Sequence, residues 1–307
     1  MENLLEIKNL NKKEILNILK QTKKIKKNPY KYFKKLENNT LLMFFEAPSL
    51  RTRVSFETGM NQLGGSAIYY DISNSPLGKG KETIEDTAKV ISRYCNIAAL
   101  RIYSHEDLLK FANNSTIPII NMMTNEEHPC QILGDLFTIQ EKKKKFNDIS
   151  ICYLGDANNN VTNSLIYGCA ILDIKLNIGC PSQEEFNVRD DVLKEAYKLG
   201  NKELIKVYND PIKAVKNCDI VYTDSWMSYR IPKGQEKRRV KILSPFQVNE
   251  KLMKYTKDAL FMHCLPALRG QEVSKDVIDG ERSIVFDQAE NRLHVQKAII
   301  LLLMGRL

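Results

Sequence analysis

The sequence lacks the features that mark membrane-spanning and secreted chains. No apolar stretch approaches the ~20 residues that a membrane-spanning helix needs. The first residues, Met1 to Glu6, carry neither the basic start nor the small-residue cleavage site of a signal peptide. We therefore expect a cytoplasmic location and no membrane partner.

Cysteine and histidine are present without forming a ligand pattern. The seven cysteines include no Cys-x-x-Cys pair, and the four histidines show no spacing typical of a metal site. Zinc sites and disulfide frameworks are therefore disfavoured.

A glycine-rich dinucleotide-binding turn is also missing. The stretch from Tyr153 to Asn160 is predicted to be a strand that runs into a loop before a helix, where such a turn lies in a doubly wound fold. Asparagines replace the glycines of Gly-x-Gly-x-x-Gly. This pattern argues against a nicotinamide-dependent dehydrogenase.

The composition is that of an ordinary globular protein with an excess of positive charge. With 43% hydrophobic and 27% charged residues, the chain is neither disordered nor fibrous. The net charge is +9, and much of the excess lies in lysine runs such as Lys142–Lys145, which are typical of solvated helix ends. We expect no nucleic-acid partner, and instead a basic active site that attracts an anionic substrate.

The length of 307 residues predicts two domains. Short apolar runs alternate with helical patterns, which predicts an α/β fold of two doubly wound parallel-sheet domains joined by interdomain helices. We place the first domain at residues 1–147 and the second at 148–290. A C-terminal helix at 291–307 is expected to pack back on the first domain.

The pattern also assigns individual elements. The predicted strands are Leu41–Phe45, Ser66–Tyr70, Ile97–Leu100, Pro118–Asn121, Ile149–Leu154, Lys175–Ile178, Lys206–Tyr208, Ile220–Thr223, Ala259–His263 and Ile284–Phe286. The predicted helices are 11–27, Val54–Leu63, Thr83–Tyr94, His105–Asn113, Pro129–Lys145 and Asn291–Met304.

One segment has the chemistry of an anion site. Ser49, Leu50, Arg51, Thr52 and Arg53 lie where an apolar run meets a helical pattern. The start of a helix carries unpaired N–H groups and partial positive charge, and guanidinium groups bind phosphate oxygens two at a time. The alternative is a capped helix with solvated arginines, and this segment alone does not decide between the two.

Further polar residues follow other predicted strands, at the edge where open α/β sheets bind ligands. Arg101 ends one strand, Asp224 follows another, and Cys264 follows a third. His128 precedes the helix that begins at Pro129. Each has an ordinary structural explanation alone, but so many at strand ends indicate a site.

The motifs Ser-x-Arg-Thr-Arg, His-Pro-x-Gln, Gly-Asp-Ala-x-Asn-Asn, Asp-x-Trp-x-Ser and His-Cys-Leu-Pro resemble, in this order, the carbamoyltransferase superfamily. The resemblance runs end to end and is strongest to the ornithine carbamoyltransferases. It implies transfer of a carbamoyl group from carbamoyl phosphate to the side-chain amine of L-ornithine, without a metal or organic cofactor. It also implies a homotrimer or a multiple of trimers.

The resemblance assigns residues to each substrate. The implied carbamoyl phosphate contacts are Ser49, Leu50, Arg51, Thr52, Arg53, Arg101, His128, Pro129, Cys130, Gln131, Cys264, Leu265 and Arg292. Of these, Arg101, His128 and Cys264 are the implied catalytic residues. The implied ornithine contacts are Asn160, Asp224, Ser228 and Tyr229.

Two loops depart from the family pattern. Tyr229 stands where the ornithine enzymes usually have methionine, so another amine, such as putrescine or a modified ornithine, is an alternative substrate. The loop Pro76–Glu82 instead resembles the lysine-bearing loop of aspartate carbamoyltransferase, and Lys79 or Lys81 is a candidate phosphate contact across subunits. A non-catalytic protein that binds anions or nucleic acid is the remote alternative.

Overall fold

The structure is a computed structural model that describes residues 1–227, Ile231 and residues 234–307. It divides into two units: Met1–Phe137 together with Glu290–Leu307, and Thr138–Ala289. Among the described residues, no helix is both long and apolar enough to cross a membrane.

The first unit contains a parallel sheet with strand order β2-β1-β3-β4. Its strands are β1 (Thr40–Phe45), β2 (Ser66–Asp71), β3 (Ile97–Arg101) and β4 (Ile119–Met123). Its helices are α1 (Lys12–Lys27), α2 (Leu50–Gln62), α3 (Ile84–Tyr94) and α4 (His105–Asn113). Two helices cross the dividing points of the chain, α5 (Pro129–Lys143) and α12 (Val285–Leu303).

The second unit contains a parallel sheet with strand order β7-β6-β5-β8-β9. Its strands are β5 (Ser150–Leu154), β6 (Lys175–Gly179), β7 (Ile205–Tyr208), β8 (Ile220–Thr223) and β9 (Leu260–His263). Its helices are α6 (Asn160–Leu172), α7 (Asp190–Leu199), α8 (Pro211–Val215), α9 (Glu236–Leu243), α10 (Glu250–Met253) and α11 (Lys275–Ile278).

These sheets confirm the predicted α/β class and the doubly wound order. In each unit the first strand lies inside the sheet, and later strands add on both sides of it. The central strands β3 and β5 are buried along their whole length, as expected for parallel strands covered on both faces. Their carboxyl ends are therefore the places where polar side chains emerge.

One predicted strand, Ile284–Phe286, is wrong. At this point the structure has an isolated bridge between Phe261 of β9 and Ser283 in place of a strand, and α12 begins at Val285. Phe286 is 72% exposed, whereas Val285 is buried. The apolar run leads into the first turn of α12, which has a buried and an exposed side. A run of three apolar residues is too short to distinguish a helical pattern from a strand.

Candidate active site

Helix α2 begins at Leu50, four residues before its predicted start at Val54, so the segment from Ser49 to Arg53 forms its cap and first turn. The Ser49 hydroxyl caps the helix by accepting the backbone N–H of Thr52 at 3.2 Å. Leu50, the first helical residue, is 73% exposed, so the first turn is open at its surface. Its unpaired N–H groups and the helix dipole favour an anion here.

The two arginines of this turn differ in their surroundings. The guanidinium of Arg53 lies 3.9 Å from the centre of the Tyr69 ring, and its Nε is 3.5 Å from Glu57 Oε2. Arg51 is half-buried and forms no ion pair with the residues that the structure describes. Arg51 is therefore the arginine that is available to an anion at the helix start.

Arg101 and His128 lie on one buried surface of the same unit, and arginine supplies its positive charge. Arg101 is the last residue of β3, and its Nε donates to the Ala47 carbonyl at 3.1 Å. Burial lowers the pKa of His128 well below its ordinary value, and the charges of Arg292 and Arg101 lower it further. His128 is therefore neutral near pH 7, and it lies close to two fixed cations.

Arg292 completes this surface from α12. Its Nη1 donates to Gln131 Oε1, and its Nη2 donates to Thr52 Oγ1 at 3.4 Å. A Cβ at Gly134 would lie 3.0 Å from Arg292 Cδ, so the glycine allows the arginine to approach α5 closely. The sequence-predicted residues Thr52, Gln131 and Arg292 are thus in direct contact.

Pro129 and Cys130 form the first turn of α5. Burial raises the pKa of the Cys130 thiol to about 12, and its Sγ donates to the Asn121 carbonyl at 3.3 Å. A thiol in this state is a poor nucleophile. Cys130 therefore serves to pack the start of α5 against β4.

Asp224 and Cys264 come together in the second unit. They follow the neighbouring strands β8 and β9, whose last residues, Thr223 and His263, are paired in register. The Cys264 Sγ donates to Asp224 Oδ1 at 2.8 Å. Asp224 Oδ1 also accepts the Ser225 N–H at 2.7 Å, so one carboxylate oxygen is held from two sides.

The turn after Cys264 is fixed by His263. Leu265 has φ +58°, a left-handed conformation that side chains rarely adopt, and its N–H donates to His263 Nδ1 at 2.8 Å. The buried Gln288 accepts the His263 N–H at 2.9 Å. His263 and Gln288 thus hold the backbone that carries Cys264 and Leu265.

Asn160 is the first residue of α6, and its neighbour Asn159 is the cap. The Asn159 side chain accepts the Thr162 N–H at 2.9 Å and donates to the Tyr153 hydroxyl at 3.0 Å. Asparagine thus builds this turn through side-chain hydrogen bonds, where a dinucleotide-binding turn uses glycine. The half-buried Asn160 is left at the carboxyl edge of the sheet.

Asp224, His263 and Cys264 each offer a potential metal ligand, and these atoms lie within 4.8 Å of one another. Their spacing in sequence gave no sign of the grouping, because the residues follow two different strands. The Cys264 thiol already shares its proton with Asp224. The arrangement is thus suited to holding and moving a proton.

The remaining predicted residues are two loop lysines and two residues that the structure does not describe. Lys79 and Lys81 are exposed on a loop closed by backbone bonds, including Lys81 N to the Pro76 carbonyl at 2.8 Å. Ser228 and Tyr229 lie outside the described residues.

Sequence reasoning missed a buried ion pair in the second unit. Arg239 donates through Nη2 to the Asp156 carboxylate and through Nε to the Trp226 carbonyl, the latter at 3.0 Å. The Arg239 guanidinium also lies 4.8 Å from the centre of the Phe186 ring. This arginine therefore ties α9 to the loops that follow β5 and β8.

The structure is thus a two-domain α/β protein whose first unit has a buried, positively charged surface beside the start of α2. A family model described as the carbamoyl-P binding domain of aspartate/ornithine carbamoyltransferase matches residues 2–141. A second, described as the Asp/Orn binding domain, matches residues 147–303. The chain belongs to the aspartate/ornithine carbamoyltransferase family.

Similar proteins carry one name. An ornithine carbamoyltransferase from Archaeoglobus fulgidus is 44% identical over 309 residues, which cover 100% of this chain and 98% of that protein. One from Methanocaldococcus jannaschii is also 44% identical, over 96% of this chain and 97% of that protein.

Solved structures of ornithine carbamoyltransferases are similar to this chain over nearly its whole length. The ornithine carbamoyltransferase from Pyrococcus furiosus has a TM-score of 0.92 and 43% identity, covering 99% of this chain and 97% of that one. The ornithine transcarbamoylase from Giardia lamblia has a TM-score of 0.89 and 38% identity, covering 99% and 98%.

Proposed function

We propose that the chain is an ornithine carbamoyltransferase, which transfers the carbamoyl group of carbamoyl phosphate to the side-chain amine of L-ornithine and yields L-citrulline and phosphate. The observation that carries the proposal is the Asp224–Cys264 pair at 2.8 Å, at the edge of the second unit's sheet. A carboxylate that shares a proton with a thiol suits a cationic amine that must lose a proton before it reacts. The names of the family's similar members support the same reaction.

The first unit supports carbamoyl phosphate binding. The phosphate would accept hydrogen bonds from the first-turn amides of α2 and from Arg51, while Arg101 and Arg292 supply buried positive charge. When an amine adds to the carbamoyl carbon, the carbonyl oxygen becomes negative. Arg101 and the neutral His128 would stabilise that oxygen by hydrogen bonds from fixed donors.

The second unit supports amine binding. The side-chain ammonium of ornithine has a pKa near that of lysine, about 10.4, so it arrives protonated and must lose a proton to attack. Asp224 would hold the ammonium, with Cys264 keeping the carboxylate in place. The ammonium first passes one proton to the Asp224 carboxylate, and the neutral amine then forms the new C–N bond. The C–O bond to phosphate breaks as the second proton of the nitrogen passes to the leaving phosphate.

The full residue assignment remains as the resemblance gives it. We assign the carbamoyl phosphate contacts to Ser49, Leu50, Arg51, Thr52, Arg53, Arg101, His128, Pro129, Cys130, Gln131, Cys264, Leu265 and Arg292. We assign the ornithine contacts to Asn160, Asp224, Ser228 and Tyr229. Carbamoyl phosphate binding is thus proposed mainly for residues 1–147, and amine binding for 148–290.

The test is phosphate release from carbamoyl phosphate with L-ornithine, putrescine, N-acetylornithine or L-aspartate as the only amine. We expect turnover with L-ornithine, with citrulline formed in equal amount. Preference for another amine would identify that amine as the substrate and would assign the choice of amine to the loop that contains Tyr229. No turnover with any amine would contradict the proposal.

A homotrimer, or a multiple of trimers, is part of the proposal. Four exposed apolar side chains lie on α2 and on the edge strand β2, a surface that suits a protein interface: Leu50, Val54, Ile68 and Tyr70. Lys79 or Lys81 would extend from the nearby loop to the phosphate of an adjacent subunit. Light scattering should give three chains or a multiple, and Lys79→Ala or Lys81→Ala should raise the KM for carbamoyl phosphate.

We further propose a cytoplasmic role in arginine biosynthesis, supported by citrulline as the product of the proposed reaction. Growth of an arginine auxotroph that lacks its own enzyme tests this role. Restored growth in medium with ornithine but without arginine is expected. Failure of an active enzyme to restore growth would favour a role in arginine breakdown.

A further inference from the structure

A chain of buried hydrogen bonds extends from the cationic surface into α5. Gln131 and Asp135 are one helical turn apart, and they are 2% and 0% exposed. Gln131 Nε2 donates to Asp135 Oδ1 at 2.8 Å, while Gln131 Oε1 accepts from Arg292. The side-chain amide of Gln131 is therefore held between a carboxylate and a guanidinium.

This arrangement permits only one orientation of the amide. A guanidinium has only hydrogen-bond donors and a carboxylate has only acceptors. A side-chain amide has an acceptor oxygen on one side and a donor NH₂ group on the other. Turning the Gln131 amide over would put its NH₂ against Arg292 and its oxygen against Asp135. Both contacts would become repulsive in a buried setting where unmade hydrogen bonds are costly.

The fixed orientation decides what Gln131 presents to a ligand. Its NH₂ is directed to Asp135, and its oxygen lies on the side of Arg292, which also contacts Thr52 at the start of α2. The carbonyl oxygen accepts two hydrogen bonds, so a second donor can approach it there. On the anion-site side, Gln131 is therefore an acceptor.

We propose that Asp135 is a positioning residue for substrate selection: it fixes Gln131 as an acceptor for the carbamoyl NH₂ group. This inference rests on the proposed function. Acetyl phosphate has a methyl group where carbamoyl phosphate has NH₂, so it leaves the Gln131 oxygen with Arg292 as its donor and without the second donor that the substrate supplies. A site built around such a hydrogen bond discriminates strongly against the analogue that lacks it.

The test compares the KM for carbamoyl phosphate with the competitive inhibition constant of acetyl phosphate, at saturating L-ornithine. In Asp135→Asn the side chain at 135 can donate as well as accept, so Arg292 alone is left to impose an orientation on Gln131 and the amide is held less firmly. We expect the KM for carbamoyl phosphate to rise about tenfold more than the inhibition constant of acetyl phosphate. An unchanged ratio of the two constants in this variant overturns the inference.

A double variant separates orientation from general damage. The double variant carries both Gln131→Glu and Asp135→Asn, so the carboxylate moves from position 135 to position 131, one helical turn away. The carboxylate at 131 has only acceptors, so it accepts a hydrogen bond in either orientation. The ratio of the two constants should return to within about threefold of wild type, even if both constants rise through repulsion of phosphate. A double variant with the same ratio as Asp135→Asn would show that Asp135 acts only on packing, and overturn the inference.

The wild-type enzyme in the same assay distinguishes a failure of the proposed function from a failure of the proposed role of Asp135. No citrulline from carbamoyl phosphate and L-ornithine would refute the proposed function. Citrulline formation by wild type, with an unchanged ratio in Asp135→Asn, would refute only the role of Asp135.

Discussion

Asp224 and Cys264 follow neighbouring parallel strands in register, and the Cys264 Sγ donates to Asp224 Oδ1 at 2.8 Å. Two residues that are 40 positions apart are thus brought together by the pairing of β8 with β9. A thiol hydrogen bond leaves the second carboxylate oxygen of Asp224 for a cationic amine. Substitution of Asp224 should therefore affect the amine substrate.

Asp224→Asn should impair amine binding and leave carbamoyl phosphate binding intact. The change removes the negative charge while it keeps the shape, so the KM for L-ornithine should rise about 10- to 100-fold. The matched control is Asp219→Asn, at the opposite end of β8, where the carboxylate accepts the Ser150 N–H at 3.0 Å. Equal effects of the two substitutions on the KM for ornithine would refute the assignment of Asp224.

Arg51→Ala should raise the KM for carbamoyl phosphate by about 100-fold, because a guanidinium that binds phosphate is lost. Arg53→Ala should have a smaller effect, since Arg53 already contacts Tyr69 and Glu57. Steady-state kinetics at saturating ornithine measures both. A larger effect for Arg53→Ala would reverse the roles given to the two arginines.

Arg239→Ala should destabilise the second unit strongly. It leaves the Asp156 carboxylate in a buried position, where burial raises its pKa and the Arg239 charge lowers it. Breaking a buried pair of this kind costs roughly 3–5 kcal/mol. Urea unfolding should show this loss for Arg239→Ala, and almost none for Arg238→Ala, because Arg238 pairs with Glu185 at the surface. Similar losses in both variants would contradict the account.

Glu6 should contribute stability that disappears in acid. Burial tends to raise the pKa of Glu6, but hydrogen bonds from His105 and Lys8 outweigh it and lower the pKa from 4.5 to about 2. A lowered acid pKa stabilises the fold fully above about pH 4.5, and the contribution is lost as pH falls towards 2. Relative to wild type, Glu6→Gln should be less stable by about 3 kcal/mol at pH 7.

The difference between wild type and Glu6→Gln should shrink steadily below pH 4.5. Urea titrations at several pH values measure it. A difference that stays constant from pH 7 to pH 3 would show that the loss comes from packing and not from the charge of Glu6.

Local signals predicted the residues whose positions depend on one element. Ser49 caps α2 because a hydroxyl precedes the helical pattern, Arg101 ends a recognisable buried strand, and Asp224 follows another. The parallel order of the strands then places such residues at one edge of each sheet. This part of the site is predictable because its cause lies within a few residues of each side chain.

The residues that were missed depend on distant partners. Arg239 and Asp156 are 83 positions apart, and Gln288 binds the backbone of His263 across 25 positions. Nothing in the local pattern distinguishes Arg239 from the surface residue Arg238. Asp135 is the exception, since its spacing of four residues from Gln131 is a helical signal that could have indicated the pair.

A carbon-13 NMR spectrum of the enzyme with ¹³C-labelled carbamoyl phosphate and L-ornithine follows the carbamoyl carbon itself, and it is therefore the most direct test of the proposed transfer. The account predicts that the label appears in the ureido carbon of citrulline, at the rate of phosphate release. Release of phosphate with the label only in bicarbonate, or in a product of another amine nitrogen, would contradict it.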